Sequence, residues 1–112
     1  MDKDRVIVFG SEYVGSGDET LGFAILMTLL ETLATREDRP KALIFWNTAV
    51  KLLVEGSPVV PRLKTLEEKG VQILAGKLCL QDLCITDIVA VGKAASMDEI
   101  LDLILHNEVI NL

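Results

Sequence analysis

Four short apolar runs constrain the fold of this chain most strongly, because a segment of helical pattern separates each run from the next. The runs are rich in β-branched residues and span residues 5–10, 41–46, 71–75 and 88–92. Continuous apolar runs of this length are typical of parallel strands that are buried on both faces. Strands that alternate with helices predict an α/β fold in which a parallel sheet lies between two helical layers.

The helical segments carry start and stop signals. Residues 16–19 have the spacing of a capping box and predict a helix over about residues 18–37. Gly70 predicts the left-handed end of a later helix. A second capping box at residues 96–99 predicts the start of the last helix, and residues 109–112 follow it as a last short strand.

Size and charge limit the classes of function. The 112 residues predict one domain over residues 1–112. Acidic residues number 17 and basic residues 11, so the net charge is −6. This balance argues against nucleic acid as a partner, which needs a basic surface, and against docking on an anionic membrane. The longest apolar run, residues 21–30, is too short to span a bilayer.

The first residues open directly into a strand and lack the pattern of a secretory signal. Together with only two cysteines, this predicts a cytoplasmic location in which both thiols are reduced.

The first predicted helix is apolar around nearly its whole circumference, from Leu21 to Leu33. A helix of this kind is buried on nearly all sides, whereas the sheet of a small domain covers only one side. We therefore expect another subunit to cover the remaining side, which makes the protein a homo-oligomer.

Cys79 is the first candidate for chemistry, because it follows the predicted strand 71–75 by four residues. In open α/β sheets, ligands bind just past the carboxyl ends of the strands. Lys77 and the start of a short helix would both favour the thiolate, which is the nucleophilic form of cysteine. The alternative is a structural cysteine in the core, flanked by Leu78 and Leu80.

Further candidates are less specific. Asn47 and Lys51 follow the second predicted strand and could line a binding pocket with Cys79; alternatively they are a polar cap and a solvated lysine. Cys84 would lie about 140° from Cys79 on a helix, so the pair is not a CxxC redox motif. One histidine and two cysteines fall short of a zinc ligand set, so we expect no metal.

Several segments match a known family together, in order and in spacing. They are residues 8–11 with 17–22, residues 44–52 with 55–57, residues 66–74, and residues 90–92. In these segments the chain resembles the DsrE/DsrF-like sulfur-relay family, and most of all the DsrE-like domain of YedF-type selenium-metabolism proteins. The likeness extends over nearly the whole chain.

The resemblance implies a three-layer α/β/α sandwich with a mainly parallel sheet of five strands, assembled into trimers or hexamers. It also implies a persulfide on a loop cysteine after the third strand, and a TusA-like domain as a possible sulfur-carrying partner. Relatives usually carry a cysteine directly after that strand, where this chain has Gly76, and often a second one at the position of Cys79.

Three hypotheses follow for the function. The first is a relay domain that carries sulfur, or selenium, on Cys79, with Asn47, Lys51 and Lys77 as binding residues. The second is a catalytically silent DsrE-like module for binding or assembly. The third, a nucleotide-binding enzyme, is disfavoured because the chain has no phosphate-binding motif, and we expect no cofactor.

Overall fold

A sheet of five parallel strands forms the centre of the protein, which we describe over residues 4–112 from a computed structural model. The strands are β1 (Arg5–Phe9), β2 (Ala42–Phe45), β3 (Gln72–Gly76), β4 (Lys93–Ala95) and β5 (Glu108–Asn111). Their order across the sheet is β4-β3-β2-β1-β5, and every neighbouring pair is parallel. The predicted sheet of five strands is confirmed, and it is parallel throughout.

Helices cover both faces of the sheet. The α-helices are α1 (Glu19–Thr35), α2 (Val60–Glu68), α3 (Lys77–Asp82) and α4 (Met97–His106), and two 3₁₀ helices span Asn47–Leu53 and Thr86–Ile88. One apolar cluster joins α1, α2, α3 and the longer 3₁₀ helix to the sheet, and a second cluster joins α4 to the sheet. The result is the predicted α/β/α sandwich. Within residues 4–112, no helix has the length and apolar character needed to cross a membrane.

Side chains alternate in direction along the central strands, and this divides the core between the two clusters. Phe9 and Phe45 face one side, where their rings stack with centroids 4.8 Å apart and planes 9° apart. Val8 and Ile44, which are paired in the β1–β2 register, face α4 on the other side. All four residues of β2 are buried, which explains why this strand reads as an unbroken apolar run.

The fourth strand lies later in the chain than the sequence predicted. Instead of residues 88–92, the paired residues are Lys93–Ala95. Val89 forms only an isolated antiparallel bridge with Val54. Gly92 then turns the chain into the sheet with a φ of 78°. The apolar run therefore reflects packing of Val91, which is buried, rather than strand pairing.

The two predicted capping boxes have different outcomes. Ser16 does not cap α1, because Asp18 is the N-cap and its carboxylate accepts a hydrogen bond from the N–H of Leu21 at 2.8 Å. The box at the start of α4 is confirmed. There the Ser96 hydroxyl accepts from the N–H of Glu99 at 3.2 Å, and the N–H of Ser96 donates to the Glu99 carboxylate at 3.1 Å.

Candidate functional site

A cavity of about 660 Å³ opens at the carboxyl edge of the sheet. All five strands bring it a residue at or just past their carboxyl ends: Gly10, Trp46, Gly76, Ala95 and Asn111. Most of the other lining residues come from α3 and the start of α4. Because five strand ends and two helices form its wall, the cavity is part of the fold itself, at the place where open α/β sheets bind ligands.

Cys79 lines this cavity from the first turn of α3. Its side chain is partly buried, and its Sγ accepts a hydrogen bond from the backbone N–H of Asn47 at 3.1 Å. A hydrogen bond to sulfur stabilises the anionic form of the side chain most. The thiol is therefore within reach of a ligand in the cavity and has a fixed donor beside it.

The donor is held in place by an uncommon backbone conformation. Asn47 follows β2 with a φ of 53°, in the left-handed region. Asparagine adopts this region more readily than most other residues, so the sequence suits the conformation. The turn directs the Asn47 N–H towards α3, across the gap between the ends of β2 and β3.

Gly76 provides the space that the thiol occupies. A Cβ atom at this position would lie 3.2 Å from the Sγ of Cys79 and 3.4 Å from the Cβ of Trp46. The distance to Sγ is tighter than an ordinary van der Waals contact, and the distance to the Trp46 Cβ is at the lower limit of one. The glycine at residue 76 and the inward placement of Cys79 are therefore two parts of one arrangement.

The two lysines predicted as binding residues have different positions. Lys77 lies at the rim of the cavity and is exposed. Lys51 is exposed in the last turn of the 3₁₀ helix and is not one of the residues that line the cavity. The structure thus brings together Cys79, Asn47 and Lys77, and leaves Lys51 apart from them.

Charges at the rim are mixed. The backbone N–H of Ser96 donates to the Glu99 carboxylate and lowers its pKa, and the nearby cations Lys93 and Lys77 act in the same direction. Lys77 therefore has an acidic neighbour in Glu99, and Asp82 is a second carboxylate at the cavity. In residues 4–112, no cluster of three or more His, Cys, Asp or Glu residues could hold a metal ion.

Cys84 lies outside the cavity. It follows α3 with a φ of 58°, is exposed, and forms no disulfide with Cys79, so both thiols are free. Its Sγ is 4.0 Å from the carbonyl oxygen of Asp82. The two cysteines of the chain thus differ in environment, and each can serve as the control for the other.

Sequence reasoning missed two large side chains of the site, Trp46 and Met97. A signal for Trp46 existed, since it comes directly after the buried strand β2 at the carboxyl edge. Met97 had no such signal, because it also fits the helical stripe of α4. Its place at the cavity depends on how α4 lies against the sheet.

Comparison with known proteins adds structural neighbours only. No family model matches the chain, and no curated protein sequence matches it. Among solved structures, the ychN protein of E. coli matches with a TM-score of 0.71 at 16% identity, over 99% of this chain and 100% of that chain. A conserved protein of unknown function from Bacteroides thetaiotaomicron matches with a TM-score of 0.69 at 16% identity, over 97% and 95% of the two chains.

A protein of unknown function from Methanobacterium thermoautotrophicum matches with a TM-score of 0.70 at 14% identity, over 99% of this chain and 100% of that chain. At such low identity these likenesses carry the fold and no activity. They confirm the DsrE-like fold that the sequence predicted. The narrower resemblance to YedF-type proteins stays a prediction.

Proposed function

We propose that this domain carries sulfur as a persulfide on Cys79. The observation that supports this function best is the hydrogen bond of 3.1 Å from the Asn47 N–H to a thiol that lines the cavity at the carboxyl edge of the sheet. A carrier thiol needs access for a donor and an acceptor, and it needs stabilisation of its anion. Cys79 lines the cavity and has a fixed N–H donor beside its sulfur, whereas a cysteine that only fills the core needs neither.

The proposed reaction is a transfer of sulfane sulfur without net oxidation. The Cys79 thiolate attacks the outer sulfur of a donor persulfide, R–S–SH. A new S–S bond forms at Cys79, and the S–S bond of the donor breaks. The donor leaves as the thiolate R–S⁻ with the electron pair, and the proton stays on the outer sulfur of the Cys79 persulfide. Attack by an acceptor thiolate on that outer sulfur then returns Cys79 to its thiolate.

The Asn47 N–H can stabilise the Cys79 thiolate both before and after the sulfur transfer. The inner sulfur of Cys79 begins and ends the cycle as an anion, and Asn47 donates to that sulfur without any rearrangement of the backbone. A donor that is already oriented stabilises charge more effectively than water that must reorient. Selenium in place of the outer sulfur would use the same geometry.

The test is sulfur uptake by the folded protein. Native protein is treated with a persulfide donor and weighed intact, together with Cys79→Ser and Cys84→Ser. We expect the mass of one sulfur atom to be added to the wild type and to Cys84→Ser, and no addition to Cys79→Ser. Lack of uptake by native protein, with alkylation of Cys79 only after unfolding, would favour the silent binding or assembly module instead.

We also propose that the domain is a homo-oligomer, a trimer or a hexamer. Support comes from the outer face of α1, where Leu21 is 60% exposed and Ile25 is 41% exposed beside a shallow groove that Ala24 and Leu29 line as well. Apolar surface of this kind often marks a contact between proteins. Light scattering should give three or six times the monomer mass, and Ile25→Glu should reduce it. A stable monomer at micromolar concentration would contradict this proposal.

The resemblance favours a TusA-like domain as a sulfur-carrying partner and the reducing cytoplasm as the location, and we propose that this partner accepts the sulfur. A mixture of persulfidated protein with a TusA-like domain should move the added sulfur from Cys79 to that partner, as intact masses would reveal. Retention of all sulfur on Cys79 in the mixture would argue against this acceptor.

A further inference from the structure

The cavity has the size and lining of a site for a small molecule. Its volume of about 660 Å³ lies inside the range of about 300–1,000 Å³ that is typical of small-molecule pockets. Trp46, Leu83 and Ile100 give it apolar walls, and Cys79 lies among them. An organic group bound next to the thiol would therefore exchange water for apolar contacts.

The mouth of the cavity is apolar as well. Leu78 is 72% exposed and Met97 is 55% exposed, and both line the cavity. They come from different helices, α3 and α4, so local sequence pattern alone does not explain why both line one cavity. These two large apolar side chains are exposed to solvent at one opening. A ligand that covers them would bury apolar surface, which favours binding.

The charges of the rim do not favour an anion. Lys77 is the only basic residue that lines the cavity in the described part of the chain, and it is accompanied by Asp82 at the cavity and by Glu99 nearby. The whole chain has a net charge of −6. A negatively charged donor would thus approach an acidic protein without a basic patch to receive it.

From these observations we infer that the donor at Cys79 is a small organic persulfide whose body is uncharged and apolar, such as an aryl or alkyl persulfide. This inference rests on the proposed function and specifies its substrate class. The apolar body occupies the space between Trp46, Leu83 and Ile100. Its outer sulfur is presented to Cys79, and the thiol that remains after transfer leaves through the mouth between Leu78 and Met97.

Two methanethiosulfonate reagents test this selectivity without any persulfide. One carries an uncharged benzyl group and the other an anionic sulfonatoethyl group. In both, the cysteine thiolate attacks the sulfenyl sulfur, a disulfide forms, and methanesulfinate leaves with the electron pair. Rates at Cys79 are measured in Cys84→Ser, and rates at the exposed Cys84 are measured in Cys79→Ser.

We expect the ratio of the benzyl rate to the sulfonatoethyl rate to be about tenfold higher at Cys79 than at Cys84, because burial of part of a benzyl ring is enough for such a factor. The benzyl adduct on Cys79 should also change the fluorescence of Trp46, which is the single tryptophan of the chain. The benzyl adduct on Cys84 should leave that fluorescence unchanged.

A matched pair of variants tests the role of the mouth. Leu78 and Leu105 are both 72% exposed, but only Leu78 lines the cavity. Leu78→Gln should lower the benzyl preference of Cys79 at least threefold, whereas Leu105→Gln should leave it unchanged. Because both side chains are on the surface, neither variant is expected to unfold the protein.

The outcomes separate this inference from the proposed function. Equal rate ratios at Cys79 and Cys84, or no reaction of native Cys79 with either reagent, would overturn the apolar-donor inference. Equal effects of Leu78→Gln and Leu105→Gln on the benzyl preference would overturn it as well. The proposed function is judged by sulfur uptake in the intact-mass experiment, so uptake at Cys79 together with equal ratios would refute only the substrate class.

Discussion

Substitution of Gly76 by alanine is expected to slow the reaction of Cys79 without unfolding the domain. The added Cβ would lie 3.2 Å from the Sγ of Cys79 and 3.4 Å from the Cβ of Trp46. The backbone of Gly76, with φ of −58° and ψ of 117°, is one that alanine adopts freely. Any effect must therefore come from the crowded side chains and not from the backbone.

The size of the effect follows from these distances. An ordinary contact of about 3.5–4.0 Å requires the Sγ of Cys79 to retreat by about 0.3–0.8 Å. Its hydrogen bond from the Asn47 N–H, now 3.1 Å, would lengthen or break. Hydrogen bonds to charged groups contribute about 1.5–3 kcal/mol, so a partial loss of about 1 kcal/mol is expected. That loss corresponds to a reaction about fivefold slower.

Global stability should change little, because two effects oppose each other. Mild overpacking destabilises by about 1 kcal/mol or somewhat more. Replacement of glycine by alanine stabilises by about 0.4–1 kcal/mol through the entropy of the unfolded chain. The free energy of unfolding in urea should thus stay within about 1 kcal/mol of the wild type.

The assay is the rate of iodoacetamide alkylation at Cys79 in a Cys84→Ser background at fixed pH. Gly10→Ala is the matched control, since Gly10 also lines the cavity but its added Cβ would be at an ordinary 3.8 Å from Nε1 of Trp46. We expect slower alkylation in Gly76→Ala only. Equal rates in both variants and in the wild type would refute the argument that this packing positions the thiol.

Four further expectations concern the backbone and the caps. Asn47→Gly should leave alkylation of Cys79 within about twofold, whereas Asn47→Val should slow it, because a φ of 53° costs a branched residue about 1–2 kcal/mol. Ser96→Ala should lower the urea unfolding free energy by about 1 kcal/mol. The Ser96 N–H lowers the pKa of Glu99, so the Glu99 carboxylate stabilises the fold at pH values above its unfolded-state pKa. This stabilisation is lost as the pH falls through the folded-state pKa. Glu99→Gln and the wild type should therefore unfold alike in acid. Gly92→Ala should lower the free energy of unfolding in urea by about 3 kcal/mol. The backbone φ at this position is 78°, and the added Cβ would lie 2.7 Å from the Ile73 carbonyl oxygen.

Sequence reasoning predicted the elements that depend on local pattern. The buried strand β2 and the capping box at Ser96 both follow from residues that are close together in the chain, and both are confirmed. The shift of the fourth strand to Lys93–Ala95 has a different origin. Its apolar neighbours pack on the core without joining the sheet, and a turn with positive φ at Gly92 comes directly before the paired residues.

The sequence predicted where the candidate site lies in the fold, but not the contacts within it. The position of Cys79 past β3 and of Asn47 past β2 follows from the carboxyl-edge rule for parallel sheets. The hydrogen bond between them joins residues 32 positions apart and depends on the left-handed turn at Asn47. Sequence pattern does not reveal that turn, nor which way Lys51 points once the 3₁₀ helix has formed.

The pairing of Gly76 with Cys79 bears on the proposed function. A cysteine at residue 76 would itself occupy the space next to Trp46, since even its Cβ would crowd the Sγ of Cys79. With glycine there, a thiol from the first turn of α3 reaches the same region and meets the Asn47 N–H. The absence of a cysteine directly after β3 is thus compatible with relay chemistry. In the proposed function, the thiol at the junction of β2 and β3 comes from Cys79, three positions after Gly76.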